Sequence, residues 1–310
     1  MSTNRGYRVI DFRNRPPIKP YLGLFYLKKN YFCGARKNVG NLGTQTMTPS
    51  MEMEKVGTSE AMDLWFKEMD ECGIERALIN GRSAKGNAMS SREVADLVAA
   101  YPDRIVGLAA VDLDADPKEE ADRVYKAIAE DKLPGANFEP GYAAGGGFTY
   151  KPGAAGISIE DPRVLPIAEA VQSAGGFVHI QGGMICGPDF GYNNPIALDH
   201  FLSMFPNLTV VMCHGGYPYV QEICCLMAKH GNFYVVPDIY MFHPGAQLYH
   251  VNLNLLPDQF IYGSGYPFCS MKEPLESTLA LMDDPWAKVK PEVMEKYLYK
   301  NAARVLKLDA

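Results

Sequence analysis

The sequence lacks the features that mark several special classes of protein. It contains no run of eighteen or more apolar residues, and the segment from Met1 to Gly6 holds no apolar signal region. We therefore expect a soluble, cytoplasmic protein with no membrane association. It also lacks a long basic run, and its net charge is -6. Because a protein that follows a phosphate backbone carries a basic face, we expect no nucleic-acid partner.

The cysteines are few and form no CxxC pair. There are seven in 310 residues, an odd number that fits reduced thiols in a core better than a disulfide framework. Hydrophobic residues make up 47% of the chain, which is enough to bury a large core. Since an α/β barrel reaches this length as one domain, we expect a single domain over residues 1–310.

Short apolar runs of strand type alternate with segments of helical periodicity. This alternation is typical of βα units around a parallel sheet. The predicted strands are Val9–Asp11, Arg76–Asn80, Ile105–Val111, Ala136–Glu139, Phe177–Gln181, Thr209–Cys213, Phe233–Val236 and Phe260–Gly263. The predicted helices are Ser59–Cys72, Ser91–Ala100, Lys118–Glu130, Val164–Ala174, Ile196–Phe205, Tyr219–Lys229, Glu292–Lys300 and Asn301–Leu308. Eight strands predict a closed (β/α)8 TIM barrel.

Two long connections interrupt this alternation. Residues 12–58 follow the first predicted strand, and we interpret them as a cap or insertion over the barrel mouth. The second connection, Pro140–Glu160, contains the glycine run Gly145–Gly147, which serves either as a flexible turn or as a lid or hinge. It does not have the spacing of a phosphate-binding P-loop.

Two arginines follow the first predicted strand. Arg13 and Arg15 are two positions apart, so in an extended chain their side chains point to the same face. A guanidinium stays protonated and has no free lone pair, so neither residue can coordinate a cation. We expect both to bind an anionic substrate.

His179 and His214 each lie at the end of a predicted strand and are followed closely by two consecutive glycines. Paired glycines let a ligand approach the backbone, and strand ends carry the catalytic residues of barrel enzymes. One such histidine alone would favour a core residue, but two with matching surroundings favour catalysis. His200 and His230 lie in or just after a predicted helix, and we interpret them as structural.

Three further residues are candidates because they end or follow predicted strands. Glu139 ends the fourth strand, where a carboxylate serves as an acid or base or pairs with an arginine, and both interpretations carry equal weight. Asp238 and His243 follow the seventh strand. We take Asp238 as a catalytic candidate and His243 as a substrate-binding candidate.

Several short motifs occur in a characteristic order. They are Met69–Ala77, Tyr101–Leu108, Phe205–Leu208 leading to His214-Gly215-Gly216, Gly263–Pro267 and Asn301–Leu306. With the strand-one segment around Asp11, they make the chain from Val9 to about Leu308 resemble the amidohydrolase superfamily. The resemblance is to the amidohydrolase-related branch of aminocarboxymuconate-semialdehyde decarboxylase and the resorcylate-type decarboxylases. It implies a TIM-barrel enzyme acting on a small molecule.

The resemblance also implies a metal site, which this sequence alters. The family pattern has two histidines after strand one, one after each of strands five and six, and an aspartate after strand eight. His179 and His214 match, whereas Arg13, Arg15 and Gly265 replace the other three. The strand-one pair, the strand-five histidine and the aspartate hold a divalent metal in the family, commonly zinc. We therefore expect no metal cofactor here.

The charge pattern then suggests a function. Two guanidiniums carry about the charge of the missing dication and suit bidentate binding of a carboxylate. They would also disfavour protonation of His214, which leaves a neutral imidazole as general base or acid. His179 would be an orienting or oxyanion-stabilising donor. We expect a metal-independent hydrolase acting on a small aromatic or dicarboxylic acid.

Three alternatives stay open. The first is a non-oxidative decarboxylase, or another carbon–carbon lyase, that acts on an aromatic acid. The second is an enzyme with zinc or manganese held by His179, His214 and Glu139. The third is a non-catalytic relative that binds a carboxylate ligand. The resemblance also implies a homo-oligomer, since proteins of this kind are often homodimers.

Overall fold

The computed structural model describes residues 3–23, 53–83, 88–145, 156–184 and 186–308. Its strands are β1 Val9–Asp11, β2 Ile74–Asn80, β3 Ile105–Ala110, β4 Gly135–Phe138, β5 Phe177–Gln181, β6 Val210–Cys213 and β7 Phe233–Val236. Its α-helices are α1 Ser59–Cys72, α2 Ser91–Ala100, α3 Pro117–Ala129, α4 Leu165–Ser173, α5 Pro195–Met204, α6 Val220–Lys229, α7 Gln247–Leu255, α8 Lys272–Ala280, α9 Pro291–Glu295 and α10 Asn301–Val305. A π-helical turn, Lys296–Lys300, lies between the last two.

The strands follow the chain order in a parallel sheet from β1 to β7, so the fold is α/β and TIM-barrel-like, as the sequence predicts. The predicted eighth strand, Phe260–Gly263, is not a strand in the described part of the chain. Two backbone bonds nevertheless tie this segment to the first strand: Phe12 N donates to the Tyr262 carbonyl at 2.9 Å, and Gly265 N donates to the Arg13 carbonyl at 2.9 Å. The glycines and the left-handed turn at Gly265 end the extended conformation there.

The described residues group into two compact units. Unit 1 comprises residues 1–79 and 238–310, and unit 2 comprises residues 80–237. The single domain predicted from composition stays a prediction. The predicted cap over residues 12–58 lies mostly outside the described residues, as do Gly146 and Gly147 of the glycine run.

In unit 1, helix α1 forms where its end signals and its apolar spacing agree. Thr58 Oγ1 accepts a hydrogen bond from Ala61 N at 3.2 Å and so caps the first turn. Gly73, with φ of 65°, ends the helix in the left-handed conformation that glycine tolerates best. Trp65 and Met69 recur at helical spacing and are fully buried, which anchors the helix in the core of the unit.

The Asp11 carboxylate holds the end of β1 in place. Its Oδ1 accepts hydrogen bonds from Ser264 N at 2.9 Å and Arg13 N at 3.1 Å. Its Oδ2 accepts from Ser264 Oγ at 2.6 Å and Asn14 Nδ2 at 2.7 Å. The Trp65 indole N–H donates to Asn14 Oδ1 at 3.0 Å and extends the network to α1. Burial raises the pKa of Asp11, and these hydrogen bonds oppose the rise.

In unit 2, the register of the parallel strands determines which side chains are neighbours. Asn137 of β4 lies opposite His179 of β5, and His179 lies opposite Val211 of β6. All three strands are buried along their whole length. Polar side chains in such strands need partners within the protein, because burial without a hydrogen bond is costly.

Among the described residues, no helix has both the length and the apolar content needed to cross a bilayer.

We predict that Ser264→Ala lowers the free energy of unfolding by about 1–3 kcal/mol, because a buried charge loses a hydrogen bond and Tyr266 N loses its acceptor. Urea unfolding of the variant and the wild type measures the change. Ser203→Ala on the exposed surface of α5 is the control and is expected to change stability by less than about 0.5 kcal/mol. Equal stabilities for the two variants would contradict the importance of the Asp11 network.

Candidate active site

Arg13 and Arg15, the predicted substrate anchors, are both buried in unit 1, with 2% of each residue exposed. Arg13 forms an ion pair with Asp238, in which Nε and Oδ2 are 3.8 Å apart and neither side chain is more than 2% exposed. Asp238 therefore supplies a buried carboxylate beside Arg13, and the charge of this arginine is balanced in part within the protein.

Asp238 lies just beyond β7 and has an unusual backbone conformation. Its φ of 42° is in the left-handed region, which is uncommon for a residue other than glycine. Such strain costs of order 1–3 kcal/mol, and it persists mainly at functional sites and ligand clamps. The candidate His243 is partly buried a few residues later, with its ring 4.7 Å from that of Tyr240. Strain thus supports a functional interpretation of Asp238 more than of His243.

Gly265 occupies the position of the family aspartate, and its geometry excludes that residue. Its φ is +74°, which disfavours any residue with a Cβ. A Cβ built there would lie 2.1 Å from Ile239 Cγ2, far inside the van der Waals limit. An aspartate at this position would therefore carry the cost of a left-handed backbone and would need Ile239 to move or to be smaller.

His179 is fully buried in unit 2, and two amide side chains surround its Nδ1 atom. Nδ1 is 3.1 Å from Asn137 Oδ1 and 3.2 Å from Gln181 Nε2. Gln181 Nε2 also donates to Asn137 Oδ1 at 2.9 Å, and Asn137 Nδ2 donates to the Gly81 carbonyl at 2.9 Å. Sequence analysis missed Asn137. It is a polar residue in a buried strand two positions before Glu139, and that pattern could have indicated it.

His214 directly follows β6 in unit 2 and has a left-handed backbone. Its φ is 62°, and Gly215 and Gly216 follow with φ of 64° and 67°. The two glycines adopt this conformation at little cost, whereas the histidine is strained. Its ring and the thiol of Cys213 offer ligand atoms within 4.8 Å of each other. The sequence did not single out Cys213.

The structure pairs Glu139 with an arginine. Arg82 Nε donates to its two carboxylate oxygens at 2.8 and 3.1 Å, and both residues are more than 90% buried. Of the two interpretations for Glu139, the ion pair is the one observed. Sequence analysis missed Arg82, although it is a cationic residue two positions after a strand, as Arg13 is.

The two histidines interpreted as structural both face carboxylates within unit 2. His200 Nδ1 is 2.7 Å from Glu160 Oε2, and His230 Nε2 is 2.6 Å from Asp199 Oδ1. Hydrogen bonds from Lys229 and His230 lower the pKa of Asp199.

We predict that Gly265→Ala lowers the free energy of unfolding by about 1–2 kcal/mol or more, because the added methyl group meets both a left-handed backbone and Ile239. Thermal and urea unfolding measure the loss. Gly231→Ala is the matched control, since a Cβ there meets no atom within 4 Å. If the two variants were equally stable, the proposed exclusion of a side chain at Gly265 would be wrong.

Solved structures resemble this chain over nearly its full length. A TIM-barrel protein from Bordetella bronchiseptica, described as uncharacterised, is 30% identical with a TM-score of 0.80, and the match covers 97% of this chain and 98% of that one. A 2,6-dihydroxybenzoate decarboxylase solved with 2,6-dihydroxybenzoate is 14% identical with a TM-score of 0.68, covering 98% and 100% of the two chains. At this identity, the second likeness shows the fold alone. The search of curated proteins gave no significant match.

The expectation of a metal-independent enzyme with no metal cofactor is wrong. A dihydroxybenzoic acid decarboxylase from Polaromonas sp. JS666 was solved with bound manganese and 2-nitroresorcinol; it is 14% identical with a TM-score of 0.64, covering 98% of each chain. A 5-carboxyvanillate decarboxylase from Novosphingobium aromaticivorans was also solved with manganese. From the sequence, a zinc or manganese held by His179, His214 and Glu139 was only an alternative.

The donors of unit 2 fit a divalent metal by type. His179, Cys213 and His214 carry imidazole and thiol groups, which bind transition metals. The contact of His179 Nδ1 with an amide oxygen is also the kind of support that metal-binding histidines receive. Arg13, Arg15 and Gly265 offer no side-chain ligand atom.

The family model described as amidohydrolase matches residues 81–308, which is more than half of the chain. The resemblance drawn from the motifs is therefore confirmed, and so is the expected kind of enzyme. The chain belongs to the amidohydrolase family and is an enzyme of hydrolase or carboxy-lyase type.

Proposed function

We propose that this enzyme is a non-oxidative decarboxylase that acts on a small aromatic acid with the help of a divalent metal. Solved structures that share its fold over nearly the whole chain include decarboxylases of dihydroxybenzoate, by their printed names. Hydrolysis, the activity expected first from the sequence, is the second candidate, and the description of the matching family favours it.

The observation that carries the proposal is the buried pair of arginines in unit 1. Arg13 and Arg15 remain charged although only 2% of each residue is exposed. Burying a charge is costly unless an opposite charge or hydrogen bonds compensate for it. Asp238 supplies such a charge for Arg13, and each guanidinium presents its N–H donors in a planar fork. A benzoate carboxylate matches these donors in charge and in its planar geometry.

His214 is proposed as the residue that transfers the proton. In decarboxylation, the bond from the ring carbon to the carboxylate carbon breaks, carbon dioxide leaves, and the ring carbon takes up a proton. An imidazole supplies such a proton near neutral pH. The left-handed backbone of His214, held between a buried strand and two glycines, supports a role that requires a fixed ring position.

Unit 2 would also hold the metal, with His179 as the proposed ligand and Cys213 as a further donor. When bound, a divalent metal acts as a Lewis acid that holds and polarises a substrate oxygen. The side chains of Glu139 and Arg82 neutralise each other, so we assign neither to metal binding. The homo-oligomeric state and the cytoplasmic location stay predictions.

We predict that the enzyme incubated with manganese releases labelled carbon dioxide from carboxyl-¹³C hydroxybenzoates, as measured by ¹³C NMR. His214→Asn should lower this turnover by about 10²–10⁴-fold, because the proton donor is lost. His200→Asn is the control, since this exposed histidine pairs with Glu160, and it should retain full turnover. If the same protein instead hydrolysed an amide, ester or lactone without releasing carbon dioxide, the activity would be hydrolysis and the proposed decarboxylation would be wrong.

We predict that treatment with a chelator abolishes turnover and that zinc or manganese restores it. Elemental analysis of the protein before treatment should give about one equivalent of a transition metal. His179→Ala should lower metal content, whereas His200→Ala should leave it unchanged. Full turnover by protein with no measurable metal would contradict the proposed role of the metal.

A further inference from the structure

A buried asparagine contacts the ring of His179 in a way that constrains the position of the ring proton. Asn137 lies on β4, opposite His179 in the register of the sheet, and only 1% of it is exposed. Its Nδ2 donates to the Gly81 carbonyl at 2.9 Å. Because a carbonyl can only accept, this bond fixes the orientation of the amide and turns Oδ1 towards the histidine.

Asn137 Oδ1 is then an acceptor for two groups. Gln181 Nε2 donates to it at 2.9 Å, and His179 Nδ1 lies 3.1 Å away. An amide oxygen has no proton, so the second contact is a hydrogen bond only when Nδ1 carries the proton. In the other tautomer, two lone pairs would face each other at 3.1 Å in a fully buried site, which is unfavourable.

Gln181 provides the competing interaction. Its Nε2 is 3.2 Å from His179 Nδ1, and a donor at this place would favour a lone pair on Nδ1. The shorter bond from Nε2 goes to Asn137 Oδ1, however, and this bond occupies one amide hydrogen. The two N–H bonds of an amide group diverge by about 120°. His179 Nδ1 and Asn137 Oδ1 are only 3.1 Å apart, so Gln181 Nε2 cannot direct one N–H at each of them with good geometry.

We propose that Asn137 is a positioning residue that holds His179 in the tautomer with the proton on Nδ1. The Nε2 atom then presents a lone pair, which can bind a metal or accept a proton. In this neutral form, Nε2 cannot act as the oxyanion-stabilising donor that the sequence suggested for His179. The consequence for turnover rests on the proposed function, whereas the tautomer itself does not.

The tautomer can be measured directly in the full-length protein. Two-bond ¹H–¹⁵N correlation spectra of protein labelled with ¹⁵N-histidine distinguish the two neutral forms, and His179→Gln identifies the relevant signals by their absence. We expect the Nδ1–H pattern for His179 in the wild type without added metal. An Nε2–H pattern would overturn the proposal, whatever the turnover of the enzyme.

Two matched variants test the separate effects of the amides. In Asn137→Leu the acceptor is gone, so Gln181 is left to donate to Nδ1, and the signal should change to the Nε2–H pattern. In Gln181→Leu the acceptor stays, so the Nδ1–H pattern should persist. Persistence of the Nδ1–H pattern in Asn137→Leu would show that Asn137 does not set the tautomer.

Function provides an independent measurement. Loss of a group that orients a metal-binding histidine typically lowers metal affinity or activity by about 10–100-fold. We expect a loss of this size in manganese affinity for Asn137→Leu and a smaller loss for Gln181→Leu, which keeps the acceptor. Unchanged affinity in a variant whose tautomer has changed would leave the tautomer assignment intact but would contradict His179 as the metal ligand.

Discussion

The buried carboxylate of Asp11 is the constraint on which the arrangement of unit 1 depends. A charge at this depth would be costly without donors, and four hydrogen bonds from neutral groups surround it. One of them comes from the backbone of Arg13, whose carbonyl in turn accepts from Gly265. The network therefore fixes the backbone from which the Arg13 guanidinium extends, and it joins residues 253 positions apart in sequence.

Each unit contains a buried ion pair. In unit 1, Arg13 faces Asp238, and in unit 2, Arg82 faces Glu139. Such pairs contribute little net stability, because the cost of removing both ions from water offsets their attraction. These pairs do hold their charged side chains at fixed positions, and a site that binds and orients an ionic substrate needs charges at fixed positions.

The sequence predicted the architecture well, because local patterns determine it. Apolar runs fixed the place of the strands, and β1, β5 and β7 have the predicted bounds. Helices α7 and α8 were not predicted, because the helical periodicity of both segments is weak. Helix α7 has no capping side chain and carries polar residues such as Asn252 and Asn254 among its apolar ones. Helix α8 contains Pro274. The last predicted strand keeps backbone hydrogen bonds to the residues after β1 but is not a regular strand, and the left-handed Gly265 follows it.

The candidate site was harder to predict than the fold. His179, His214 and Arg13 follow from their places in or just after strands, which are local features. Their partners do not, because the contact of Asn137 with His179 depends on the register between two strands, and the pairing of Arg13 with Asp238 joins segments far apart in sequence. Such contacts arise only in the folded chain, where burial forces polar groups to find each other.

The left-handed turn at Gly265 has a further consequence for redesign of this site. An aspartate side chain at position 265 would collide with Ile239, and the left-handed backbone adds a cost for any residue with a Cβ. A carboxylate therefore cannot be introduced there by a single substitution without loss of stability. An engineered carboxylate at this position would need a companion change at Ile239.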